Sequence, residues 1–176
     1  MFLGRAKGWR TCRMETEKKH LPLFGVGPII VYGQFAFTLI AIMLSYTFKW
    51  DFAKISVLNI PLKVIGGSLI AFGIYLDLSA KIRSKLFKNV ASNKLIMDGV
   101  YGIVRNPVYS GALVGCTGAV LLTNNLLLLI VPIICWGYMT VFLIKTEEKW
   151  LINLYGQEYI EYCKRVNRCI PWIRRR

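Results

Sequence analysis

The side chains able to do chemistry gather in two short segments. One runs Asp98-Gly99-Val100-Tyr101-Gly102-Ile103-Val104-Arg105-Asn106-Pro107-Val108-Tyr109-Ser110-Gly111, and the other is Thr146-Glu147-Glu148. A guanidinium and paired carboxylates brought to one place make a niche for a ligand that carries both signs of charge. Glu147 and Glu148 are adjacent, hence about 100° apart on a helix, so both cannot point inward equally. The competing reading pairs one acid with Lys145 or Lys149 and leaves the other in water. Asp77, four residues before Lys81, reads as half of a helical ion pair rather than as a proton relay.

Other chemistries find few residues to work with. The one histidine, His20, lies in a polar leader, which removes histidine metal sites and His-Asp triads. Five cysteines, Cys12, Cys116, Cys135, Cys163 and Cys169, form no CxxC pair and leave one over, so neither a disulfide framework nor a metal centre is expected. Gly25-Val26-Gly27 runs into Pro28 and lacks a third glycine, and Gly99 and Gly102 have the wrong spacing for a dinucleotide loop.

The two segments can meet only if the elements around them bring them together, and composition says what those elements are. The chain has 176 residues, 55% hydrophobic and 18% charged, with a mean hydropathy of +0.47. That is the composition of a membrane protein. Its 23 Lys and Arg against 9 Asp and Glu leave +14, which beside long uncharged runs points to topology and anionic lipid headgroups rather than to nucleic acid. We expect a basic leader over 1–28 with no cleavable signal, then one membrane domain over 29–176. Four spans are read, at about 29–48, 62–80, 103–122 and 126–144, followed by a cytoplasmic tail over 145–176. Tyr46, Phe48, Trp50 and Phe52 close the first span as an aromatic belt. The third apolar stretch, from Val108 to Leu122, is short, so its helix is placed to start earlier, near Ile103. Thr123-Asn124-Asn125 turns it back into the fourth, in which Pro132 should make a kink.

Basic residues number six in the leader, two between the first spans, six from Lys81 to Arg105, none in the hairpin turn and eight after Ile144. By the positive-inside rule both termini and the middle loop are cytoplasmic, in what we read as a prokaryotic plasma membrane. The mouth of the last hairpin then places Arg105 and the two glutamates at one depth. Small residues at Gly111, Gly115 and Ala119, and at Gly66, Gly67, Ala71 and Gly73, allow close helix packing or leave room for a ligand. After Gly156, a helix cap, Tyr159, Tyr162, Cys163 and Val166 form the apolar stripe of an amphipathic helix along the membrane surface, where it packs on the protein or headgroups or roofs the pocket. Arg168 and Arg174-Arg175-Arg176 add attraction to anionic lipid. The fold class is thus an all-α integral membrane protein with four transmembrane helices and a C-terminal amphipathic cytoplasmic helix.

The run Leu95-Ile96-Met97-Asp98-Gly99-Val100-Tyr101, then Arg105-Asn106-Pro107-Val108-Tyr109-Ser110-Gly111, Glu147-Glu148-x-x-Leu151, Tyr155-Gly156-x-x-Tyr159, Tyr162 and Ile170-Pro171 resembles the isoprenylcysteine carboxyl methyltransferase and phospholipid methyltransferase superfamily. The resemblance spans Leu95 to Trp172. It implies a small helical bundle that binds S-adenosylmethionine at the cytoplasmic ends of its last helices, with a lipid acceptor entering from the bilayer. It further implies that Arg105, Pro107, Tyr109 and Gly111 form one wall of the cofactor site and that Glu147 and Glu148 face its polar groups. Tyr101 and Asn106 complete the expected cofactor contacts, and Arg105 and Glu148 are the expected catalytic pair. Many relatives have histidine where this chain has Asn106, an amide that can hydrogen-bond but cannot titrate. Gly66, Gly67 and Gly73 correspond to a glycine-rich stretch used by some lipid methyltransferases.

Methyl transfer from a sulfonium needs alignment and exclusion of water, and no metal. A carboxylate acceptor such as isoprenylcysteine arrives ionised and needs no base. A phospholipid amine must lose a proton, which would make Glu147, Glu148 or a tyrosine a base. Two readings of other classes stand beside this one. The tail also resembles the end of membrane sterol reductases, which use NADPH, and the chain could be a noncatalytic membrane subunit that binds a lipid or protein partner. Oligomeric state is left open by the sequence.

Overall fold

The computed structural model describes residues 26–50, 54, 56–84, 89 and 94–170. The leader with Cys12 and His20, the belt residue Phe52, Lys85 and Lys88, and the tail from Pro171 through Trp172 to Arg174-Arg175-Arg176 lie outside the described residues.

Among the described residues the architecture is all helical, with isolated bridges but no strand. Helix α1 is Gly27–Thr47 and α2 is Asn59–Leu78, continued by a π-helical turn, Ser79–Arg83. A 3-10 turn at Gly99–Gly102 leads to α3, Pro107–Leu122. A second 3-10 turn, Leu126–Leu129, opens α4, Ile130–Lys145. Two short helices follow, α5 at Glu147–Tyr155 and α6 at Gln157–Arg165. Three stretches, Gly27–Thr47, Asn59–Arg83 and Leu126–Tyr155, are long and apolar enough to cross a membrane. The fourth apolar helix, α3, has 16 residues and rises only about 24 Å, short of the roughly 30 Å of hydrocarbon. Outward faces carry exposed Tyr32, Phe35, Met43, Ile60, Ile65 and Ile74, an apolar surface that lipid rather than water would cover. The protein is an integral membrane protein.

The start of α3 differs from the expected Ile103. The residue before a proline is pushed out of helical conformation, and Asn106 has φ −125° and ψ 67°. Pro107 is pre-set for the first helical position, so the helix begins there and the residues before it pair with the chain's tail instead. Pro132 likewise falls in the first turn of α4, where the preceding 3-10 turn has already interrupted the regular ladder. The expected kink is a helix start. Asn125 builds that start by accepting from the Leu127 amide at 3.1 Å while its Nδ2 donates to the Trp50 carbonyl at 3.2 Å. The turn after α3 and the end of α1 therefore share one end of the bundle.

Helices α2 and α3 make the closest contact. A Cβ added at Gly73 would stand 2.5 Å from the Gly111 carbonyl oxygen, and one at Gly111 would stand 2.6 Å from that of Gly73. Gly66 and Gly118 repeat the pattern at 2.8 and 2.5 Å. Gly67 and Gly115 meet nothing within 4 Å. Gly66, Gly73, Gly111 and Gly118 serve backbone approach, and the contacting pairs are spaced by seven, not by four. On the other side, Ile30 of α1, Leu113 and Val120 of α3, and Cys135, Met139 and Leu143 of α4 form the main buried core.

Candidate functional site

The site is assembled where three segments converge at one end of the bundle. The first is the extended stretch before α3. Its Arg105 amide donates to the Asn167 carbonyl at 2.8 Å, and the Asn106 amide donates to the Arg168 carbonyl at 3.2 Å. Asn106 Nδ2 donates to that same carbonyl at 3.0 Å. Asn106 thus uses a permanent amide donor to fasten the tail against the helix start.

The second segment is the junction of α4 and α5. Thr146, at φ −122° and ψ −80°, separates α5 from α4, and its hydroxyl donates to the Phe142 carbonyl at 2.6 Å. The break puts Glu147 and Glu148 in the first turn of α5, where the helix dipole favours negative charge. Gly156 closes α5 at φ 57°, a left-handed conformation that glycine accepts at little cost.

The third segment is the tail. Tyr159, Tyr162 and Val166 are buried against Leu95, Met97, Leu151 and Tyr155. The amphipathic stripe packs on the protein, and the Tyr162 hydroxyl donates to the Tyr101 carbonyl at 2.5 Å. This docking carries Arg168 back over the α3 start.

The three meet at Glu148. Arg168 donates to it bidentately, Nε to Oε1 at 2.6 Å and Nη2 to Oε2 at 2.9 Å. Arg105 Nη1 lies 3.1 Å from the same Oε1, with side chains of Arg105 and Glu148 only 8% and 12% exposed. Arg105 also donates to Cys163 Sγ and faces the Tyr159 ring at 6.0 Å from its centroid. Its Nε is buried and has no hydrogen-bond partner among the described residues. Two guanidiniums share one carboxylate, so the cluster holds spare positive charge and a spare buried donor. Glu147 takes a different partner, accepting from the Tyr109 hydroxyl at 2.5 Å. Gly27 at the start of α1 abuts that hydroxyl, since a Cβ there would stand 2.8 Å from it.

Protonation follows from burial. The hydroxyls of Tyr101, Tyr159 and Tyr162 are pushed above the usual phenol range, chiefly by desolvation. They are donors at neutral pH and poor bases. Burial also raises the Cys163 thiol, with Arg105 opposing it, and the hydrogen bonds to Glu148 hold Arg168 still more firmly protonated.

Of the residues singled out from sequence, Arg105, Asn106, Glu148 and the start of α3 at Pro107 come together, with Tyr109 and Glu147 as a second pair. Tyr101 joins through its carbonyl, while its ring packs with Leu76, Ala80 and Val100. Gly111 turns toward Gly73 and serves the α2 contact. Asp77 pairs with Lys81 at 2.7 Å. Arg168 was read as a lipid-facing charge, whereas its guanidinium is held by Glu148. Its place beside Cys169-Ile170-Pro171, inside the tail motif, was the signal that could have marked it.

Residues 62–158, more than half of the chain, match the family model for phospholipid methyltransferase. The chain is 34% identical over 82 residues to protein-S-isoprenylcysteine O-methyltransferase B of Arabidopsis thaliana, covering 46% of this chain and 41% of that one. It is 30% identical over 112 residues to protein-S-isoprenylcysteine O-methyltransferase of Schizosaccharomyces pombe, covering 59% and 47%. Methanethiol S-methyltransferase 1 of Bradyrhizobium diazoefficiens is 36% identical over 75 residues, 43% of this chain and 25% of that protein. The matched region spans less than half the length of each of these relatives. No solved structure matches the chain. The motifs that converge on Glu148 and the match over 62–158 have one consequence: this chain belongs to the phospholipid methyltransferase family.

Proposed function

We propose that the protein transfers a methyl group from S-adenosylmethionine to a lipophilic acceptor that bears a carboxylate, as in isoprenylcysteine. The observation that carries this reading is the Arg105–Glu148–Arg168 cluster, built from the segments in which the family resemblance lies. The residues fit a zwitterionic donor. Arg105, with its unpartnered buried Nε, would hold a carboxylate, and Glu148 and Glu147 would face the donor's cationic groups. When bound, the cofactor supplies a methyl on a sulfonium leaving group. Arg105 and Arg168 fix the orientation of Glu148, Asn106 anchors the tail, and the Tyr159 and Tyr162 packing keeps water from that side. A carboxylate acceptor needs no proton removed, which suits a site whose tyrosines stay protonated.

In this reading the bundle crosses the membrane four times, α3 included, with both termini and the site on the cytoplasmic side. The spacing of basic residues supports that orientation. A phospholipid amine is the second acceptor class, favoured by the description of the matching family. It would require Glu147, released from the Tyr109 hydroxyl, to take the proton. The test is a radiolabelled methyl transfer assay on a membrane extract. Label in a base-labile methyl ester supports the carboxylate reading, label in a headgroup amine moves the proposal to the second class, and no transfer refutes both.

A further inference from the structure

A cleft of about 340 Å³ lies apart from the Arg105–Glu148–Arg168 cluster, between the end of α2 and residues 94–103. Its walls divide by chemistry. Arg83 and Lys94 line it with the hydroxyls of Ser79 and Ser84, against the single carboxylate of Asp98. Neither Arg83 nor Lys94 has an ion-pair partner among the described residues. Tyr75 and Ile103 also line it, and both are nearly half exposed on faces that continue the lipid-facing surface of the bundle. Unpaired cations and hydroxyls beside an apolar wall suit an amphiphile whose head is anionic and whose tail lies along a helix.

We propose that this cleft binds one anionic phospholipid, its phosphate between Arg83 and Lys94 and its acyl chain along Tyr75 and Ile103. A soluble anion would gain nothing from Tyr75 and Ile103, and a zwitterionic lipid would bring its own cation against two others with Asp98 alone to offset them. The site is distinct from the proposed methyl-transfer site, and its test does not depend on turnover.

The test is native mass spectrometry of the full chain in detergent, titrated with phosphatidylglycerol or with phosphatidylcholine of the same acyl chains. Phosphatidylglycerol should bind at concentrations lower by roughly thirtyfold, as expected of two basic contacts. The double variant Arg83→Gln/Lys94→Gln should lose that preference. Lys145→Gln/Lys149→Gln, an equal change of charge elsewhere, should keep it. No preference in the parent chain, or equal loss in both double variants, overturns the proposal, because attraction would then be unlocalised. Displacement of the lipid by millimolar inorganic phosphate alone would overturn it in favour of a soluble anion. Should the glutamine variant fail to fold, Arg83→Lys/Lys94→Arg must retain the preference, and its loss overturns the site.

Discussion

Glu148 draws together residues that stand far apart in the sequence, and each partner constrains another. With Arg105 and Glu148 nearly buried, removing the carboxylate leaves two guanidiniums facing each other, a loss of about 3 kcal/mol or more for a buried pair. The meeting of Arg105 with Glu148 is legible from residue type, since an arginine ahead of Pro107 and two adjacent acids at the same hairpin mouth invite pairing. That of Arg168 is not. Its pairing depends on the tail folding back, which is set by Tyr159 and Tyr162 being buried rather than resting on lipid. The same burial makes a prediction at this scale. Desolvation pushes the Cys169 thiol up to about 12, so at pH 8 only on the order of one thiol in ten thousand is ionised. Iodoacetamide at pH 8, followed by peptide mass spectrometry, should leave Cys169 unmodified in the folded chain and modify it after denaturation. Equal labelling in both states would show that the tail is not docked.

At the scale of elements, the helices were legible from their uncharged runs and their ends were not. Pro107 states where α3 begins, but hydropathy alone extended the helix backward to fill the bilayer. Thr146 breaks α4 from α5 without a glycine or proline to announce it, its hydroxyl donating to the Phe142 carbonyl at the break. The contact between α2 and α3 was half legible. Small residues were plain, yet the pairing of Gly66 with Gly118 and Gly73 with Gly111 depends on which face each helix presents. Gly73→Ala and Gly111→Ala should each lower the thermal midpoint, since the new methyl meets a backbone carbonyl inside 3 Å. Gly67→Ala and Gly115→Ala meet nothing and should hold or raise it, since the change adds up to about 1 kcal/mol of helix propensity. The same shift in all four variants would contradict the pairing.

Over the whole molecule, the bundle places the α1 end at Trp50 against the turn at Asn125, while Gly27, Tyr109 and Glu147 meet at the opposite end. In the proposed orientation, which rests on the asymmetry of basic residues, the second end faces the cytoplasm. In right-side-out vesicles an impermeant maleimide should label Lys54→Cys above the parent chain's background and leave Lys149→Cys unlabelled until the membrane is opened. The reverse pattern would invert the orientation. Composition made the membrane class legible because apolar runs need no partner to be recognised, whereas the site is a product of tertiary return and had to be seen.

The most direct measurement is equilibrium binding of S-adenosylmethionine, with NADPH as comparison, to the purified full chain in detergent and to its folded Glu148→Gln and Arg105→Ala variants. The methyl donor but not NADPH should bind, with affinity at least about tenfold weaker in each variant, as expected when a charge-assisted contact is lost. Undiminished affinity in both variants, with their helical content intact, would contradict the proposed site.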